Sequence, residues 1–164
     1  MSEFIDVSSL FPLQAGLDEE IQSLHHLDYP STREKRILAL LVELGEFANE
    51  TRCFKFWSLK GPSPKEVILE EYADGLHFFL SLGIPLGVKS LASEKSYEGS
   101  LYEGILDTYE EVVALRCHYD EATYVKAFKT YLSLLPLFGA TGEEAIEAYK
   151  KKLQVNYKRQ ETKY

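Results

Sequence analysis

Ile37-Leu38-Ala39-Leu40-Leu41-Val42-Glu43-Leu44-Gly45-Glu46-Phe47-Ala48-Asn49-Glu50 combines a long apolar run with regularly spaced acids. Its apolar residues recur at the three- and four-residue intervals of a helix, not at the two-residue interval of a strand. Ile37, Leu38, Leu41, Leu44 and Ala48 supply the stripe expected to pack. Glu43, Glu46 and Glu50 fall at i, i+3 and i+7, on a shared side. The first two acids are interleaved with Leu40, Leu41, Leu44 and Phe47, which leaves little of the helix free to face solvent. Acids on a helix that is apolar nearly all round are expected to be partly buried, and buried like charges need partners.

Before this run, Asp28-Tyr29-Pro30 breaks the chain, and Ser31-x-x-Glu34 reads as a capping box that opens a second helix. In front of it Leu10, Leu13, Leu17, Ile21 and Leu24 share one side of a first helix. Behind it, the loop Cys53 to Ser58 and the run Gly61-Pro62-Ser63-Pro64 end helical structure. Pro64 suits the start of a third helix, Lys65 to Leu82, closed by Gly83-Ile84-Pro85. Segment 86–98 is polar and reads as loop. Leu101 to Arg116 and Glu121 to Leu135 read as two further helices, the second ended by Gly139. Thr141-x-x-Glu144 is a capping box for a final helix, with Ile146, Tyr149 and Leu153 as its packed face. The reading is all-α: a bundle of about six helices with short connections, one domain over residues 1–164.

Composition narrows the function. A chain of 164 residues with 45% hydrophobic residues can bury a sizeable core and is not a disordered segment. A net charge of −8 argues against a nucleic-acid polymer as partner, since that surface would have to be positive. The two cysteines, Cys53 and Cys117, make no CxxC or Cys/His ligand spacing. The N-terminal residues do not read as a signal peptide, and no apolar run approaches the ~18 residues of a membrane span. The expected location is the cytoplasm, with no membrane partner.

The third helix repeats the acidic pattern of the second, as Glu71-x-x-Asp74. If the two helices pack antiparallel, Glu43, Glu46, Glu71 and Asp74 can converge. Four carboxylates in one place suit a hard divalent cation such as Mg²⁺, which prefers oxygen ligands and usually accompanies phosphates. Such a centre could orient a water for in-line attack on phosphorus, with a carboxylate not fully used as a ligand taking its proton. A solvated acidic face is the rival reading, because ExxE on a helix is common; on the residues alone the two stand about even. Lys152, Asn156 and Arg159 fall at i, i+4 and i+7 on the last helix. On charge alone this stripe would be a solvated basic tail. Gln14 among apolar neighbours, Trp57 in its loop and His77 three residues after Asp74 each have an ordinary structural reading as packed groups.

The ExxE pair, 24 intervening residues and then ExxD resemble the signature of the all-α, MazG-like NTP pyrophosphatase superfamily. More closely, the chain resembles the dimeric dUTPases of the Firmicutes and phage type. The likeness is carried by Leu10-Phe11-Pro12-Leu13-Gln14 with Leu17-Asp18, by Val42 to Trp57, by Glu71 to Phe78, and by Lys152 to Tyr164 with Asn156, Arg159 and Gln160. The runs Glu46 to Trp57 and Lys152-x-x-x-Asn156-x-x-Arg159-Gln160 are its specific parts. The resemblance implies hydrolysis of dUTP, and of dUDP, to dUMP with Mg²⁺, a homodimer, and a role in limiting uracil in DNA. It assigns Glu43, Glu46, Glu71 and Asp74 as metal ligands and Glu46 as the group that activates the attacking water. It places Gln14, Trp57 and Asn156 in the uracil and sugar pocket, and Lys152, Arg159 and Tyr164 on the phosphates. The family usually has Gly before the terminal Tyr, where this chain has Lys163. Three rival functions share parts of the pattern. They are a house-cleaning pyrophosphatase for another nucleotide, a phage-type regulatory protein that binds a repressor, and a helical bundle with solvated acids.

Overall fold

Capping chemistry and apolar spacing set the helices of the computed structural model, which describes residues 4–162. In chain order they are α1 (Leu10–His25), α2 (Tyr29–Thr51), α3 (Lys65–Gly83), α4 (Leu101–Ala114), α5 (Glu121–Leu132) and α6 (Gly142–Glu161). Single 3₁₀ turns follow α3 at Ile84–Leu86 and α5 at Leu135–Phe138. The described β structure is a two-residue antiparallel pair, β1 (Ile5–Asp6) and β2 (Ala92–Ser93), with Ile5 opposite Ser93. The expected all-α class holds. Segment 86–98, expected to be loop throughout, contributes β2 and buries Val88 and Leu91, because it straps the N-terminal strand to the bundle.

α3 is the axis. It packs against α1, α2, α5 and α6, and twelve of its nineteen residues are buried. Any acid on this helix is therefore drawn toward the interior. Tyr72 and Tyr131 lock α3 to α5: their rings stack 4.3 Å apart, and each hydroxyl donates to the other's backbone carbonyl, at 3.1 and 2.7 Å. Phe47 from α2 meets both rings edge-on, so the residue following Glu46 is pinned in the same aromatic cluster as the residue following Glu71. Gly75 permits this close approach, since a Cβ there would collide with the Tyr131 hydroxyl.

Two local readings are corrected. α2 opens at Tyr29, not after Ser31: Asp28 caps it by accepting from the Ser31 amide at 2.9 Å, and the Ser31 side chain reaches back to the Asp28 amide. Pro30 thus sits in the first turn, where a missing N–H costs nothing. Glu34 is free of capping duty and pairs with Arg116 at 3.5 Å. The buried stripes are also rotated from those expected. α2 buries Ile37, Leu40, Leu44, Phe47 and Thr51 while Leu38 is exposed; α1 buries Gln14 and Asp18 with Leu10, Phe11 and Leu17, leaving Leu13 and Leu24 outside. The capping box of Thr141 and Glu144 forms as expected, and α6 packs through Gly142, Ala145 and Tyr149.

Candidate active site

α2 and α3 lie antiparallel, as their pairings show. Arg36 donates to the Ser81 carbonyl, Glu43 is charge-coupled to Asp74, Glu46 is hydrogen-bonded to Glu71, and the Glu50 carbonyl accepts from the Ser63 amide. The register brings the two ExxE/D faces opposite each other. Carboxylate oxygens of Glu43, Glu46 and Glu71 lie within 4.8 Å of one another. Carboxylates this close could together hold one hard divalent cation.

The electrostatics of this cluster are unfavourable as it stands. Burial and the neighbouring acids Asp74 and Glu46 push the Glu43 carboxyl up to about 8. Burial and a hydrogen bond with Glu46 push Glu71 up to about 7. Glu43 Oε2 and Glu71 Oε2 are buried and have no hydrogen-bond partner among the described residues. Buried, unpartnered carboxylate oxygens are rare in native proteins and call for an ion or a proton. All-oxygen donors, mutual repulsion and orphaned lone pairs fit a hard divalent cation.

Asp74 lies beside this trio, but its carboxylate is ion-paired with Lys152 of α6 at 3.4 Å, both groups largely shielded from solvent. Burial raises the Asp74 carboxyl, and Lys152 and Arg159 oppose that rise. Lys152, Asn156 and Arg159 therefore present one side of α6 to the acidic helices. A cleft of 330 Å³ opens next to the trio, and its walls include Gln14, Asp18, Glu43, Asp74, His77, Asn156 and Arg159. The groups at hand are carboxylates, the amides of Gln14 and Asn156, and the Arg159 guanidinium, which lies near Asp74.

Gln14 and His77 are part of a buried polar chain. The Gln14 amide nitrogen donates to Asp18 Oδ1 at 2.9 Å, and its oxygen is contacted by His77 Nδ1 at 2.6 Å and the Tyr149 hydroxyl at 3.0 Å. Asp18 Oδ2 accepts from Ser81 at 2.8 Å and Tyr29 at 3.0 Å. The sequence assigns no site role to Asp18, Ser81, Tyr29 or Tyr149, although Asp18 is among the residues that carry the family resemblance and Tyr149 is read as part of a packed face. The one available signal was Gln14-x-x-x-Asp18, two polar residues one helical turn apart on an otherwise apolar helix. Burial pushes His77 down to about 3, which keeps its ring neutral.

Trp57 is placed elsewhere. It lies on the loop after α2, 65% exposed, packed edge-on against Phe54 and Phe56, and it does not line the cleft. Arg52 holds that loop through the Lys60 carbonyl and the Ser58 hydroxyl. Tyr164 lies outside the described residues.

No helix among the described residues is long and apolar enough to cross a membrane. A search of curated proteins returns no match. Residues 6–164 match the protein family described as dUTPase. With nearly the whole chain matched, and an acidic centre beside a polar cleft in an all-α bundle, the protein belongs to the dUTPase family.

Proposed function

We propose that Glu43, Glu46, Glu71 and Asp74 hold Mg²⁺ at the mouth of the cleft, and that the nucleotide lies from there toward Gln14 and Asn156. The activity is that of the family, a nucleoside triphosphate pyrophosphohydrolase acting on dUTP. The observation that carries the site assignment is the convergence of three carboxylates with two orphaned, buried oxygens next to the cleft. Mg²⁺ bound there would neutralise the acids and the phosphate chain and lower the pKa of a coordinated water. Glu46 is the exposed member of the trio and is best placed to accept a proton from the attacking water. Arg159, on the cleft wall, offers a planar fork for phosphate oxygens, and Lys152 a point charge that also restrains Asp74. Gln14 and Asn156 supply amide groups for the base and sugar.

The same reading takes dUDP as a second substrate, residues 1–164 as one domain and the cytoplasm as its location. It takes a homodimer as the working assembly, which the exposed Phe56, Trp57 and Leu59 next to α2 support as apolar contact surface. In that assembly Trp57 and Tyr164 complete the nucleotide site. Pyrophosphate release from dUTP, dCTP, dTTP and UTP, with Mg²⁺ and with chelator, tests the proposal, with Glu46→Gln as the comparison. The expected result is Mg²⁺-dependent turnover of dUTP that falls at least ~100-fold in the variant. Undiminished turnover in chelator, or in Glu46→Gln, refutes the assignment.

A further inference from the structure

The Gln14 amide is tied on three sides. Its oxygen is approached by His77 Nδ1 and the Tyr149 hydroxyl, and its nitrogen gives one hydrogen to Asp18. The second amide hydrogen has no partner among the described residues, and Gln14 lines the cleft. In this orientation the amide shows the cleft a donor and keeps its acceptor occupied.

The orientation is not dictated by His77. A neutral imidazole carries one ring hydrogen, which can sit on either nitrogen, and His77 Nε2 is buried with no hydrogen-bond partner among the described residues. With that hydrogen on Nε2, Nδ1 would accept from a turned Gln14 amide, and the Tyr149 hydroxyl can accept as readily as donate. A turned amide would then show its oxygen to the cleft. What forbids this is Asp18. It receives hydroxyl hydrogens from Ser81 and Tyr29 and lies near the Arg36 charge, so it presents acceptor lone pairs to Gln14. An amide oxygen turned into Oδ1 would set two acceptors 2.9 Å apart in a buried site.

We propose that Asp18 is a positioning residue that locks the Gln14 amide as a donor, so that the site accepts a base with a carbonyl at the contacted edge and rejects one with an amino group there. Uracil and cytosine differ in this way at position 4. The inference rests on the assignment of Gln14 to the base pocket, and it adds the residue that determines which end of the amide the base meets.

The test is kcat/KM for dUTP and dCTP in the full-length Mg²⁺-loaded protein, with Asp18→Leu, Asp18→Asn and Gln14→Met. Asp18→Leu removes the acceptor and frees the amide to turn. The dUTP:dCTP ratio is expected to fall about tenfold or more, with an absolute gain on dCTP that structural damage cannot produce. Asp18→Asn keeps a carbonyl oxygen for Gln14 and lets Ser81 and Tyr29 accept from its amide, so the ratio is expected to stay near wild type. Should the leucine variant unfold, Asp18→Ala carries the same expectation. A parallel fall on both substrates in the acceptor-free variants, with the ratio unchanged, overturns the role of Asp18. If Gln14→Met also leaves the ratio unchanged, the base-pocket assignment fails as well. If only Gln14→Met collapses it, that assignment stands and the Asp18 inference alone fails.

Discussion

Replacing Glu43 by Gln should make the metal-free protein more stable while removing its response to metal. The side chain keeps its shape and loses a charge that the fold disfavours. Glu43 is pushed from 4.5 to about 8, chiefly by burial and then by Asp74 and Glu46. A carboxyl raised in the folded state is neutral in both states below its unfolded value, so its penalty is absent there. The penalty grows from pH ~4.5, where the unfolded chain begins to ionise, and levels off above pH ~8, where the folded protein has ionised too. At pH 7 the interval covered is roughly 2.5 units, or about 3 kcal/mol at ~1.36 kcal/mol per unit. The group is only half-buried, and solvent screening brings this to about 1–2 kcal/mol. For a chain of 164 residues that is roughly 2–8 °C in the melting temperature. The assay is thermal or urea unfolding in chelator at pH 5, 7 and 8.5, repeated with saturating Mg²⁺. The two proteins should match at pH 5 and diverge as pH rises, the variant being the more stable. Mg²⁺ should then raise the wild type well above its chelated value and move the variant little. A variant equal to or less stable than wild type in chelator at pH 8.5 would refute the electrostatic account of the cluster.

Two other substitutions probe the surrounding frame. Lys152→Met removes the cation that lowers the Asp74 carboxyl, so Asp74 should protonate at higher pH; the acidic limb of the pH–activity profile is expected to move upward, and an unmoved limb would show that the ion pair does not govern Asp74. Gly75→Ala drives a methyl group into the Tyr131 hydroxyl, which is held by its bond to the Tyr72 carbonyl and by ring stacking, so about 1–3 kcal/mol of stability should be lost in urea unfolding. A loss under ~0.5 kcal/mol would mean that the tyrosine pair yields easily.

The helix count and the acidic register were legible because each rests on short-range spacing. Three-residue separations place Glu43 with Glu46 and Glu71 with Asp74 whatever the tertiary context, and Thr141 caps α6 through atoms three residues away. The faces of the helices were not legible. From Ile37 to Leu44 α2 is apolar nearly all round, so several stripes satisfy the same period, and only packing against α3 selects Leu40 and Phe47 over Leu38. The start of α2 shows the same ambiguity at smaller scale. Ser31-x-x-Glu34 and Asp28-x-x-Ser31 are overlapping caps, and the earlier one forms, with Pro30 accommodated in the first turn.

α1 presents the deeper case, since there the rule that apolar residues go inside fails outright. Leu13 and Leu24 stay at the surface while Gln14 and Asp18 are buried. Burying an amide and a carboxylate on one helix face is costly unless every polar atom is met. Their partners come from positions far away in sequence: His77 and Ser81 on α3, Tyr29 on α2 and Tyr149 on α6. A network assembled from four helices leaves no local signature beyond the Gln14-x-x-x-Asp18 spacing, and each of its other members alone reads as an ordinary packed or surface residue. The same holds on the acidic side, where the orphaned oxygens of Glu43 and Glu71 are visible only after α2 and α3 are laid antiparallel. The two departures from an apolar interior, the buried polar network around Gln14 and the unsatisfied carboxylate trio, both contribute walls to one 330 Å³ cleft. A stability-driven sequence would replace both with leucine. Their meeting at a single cleft is what a site needing both a rigid donor and uncompensated negative charge would require.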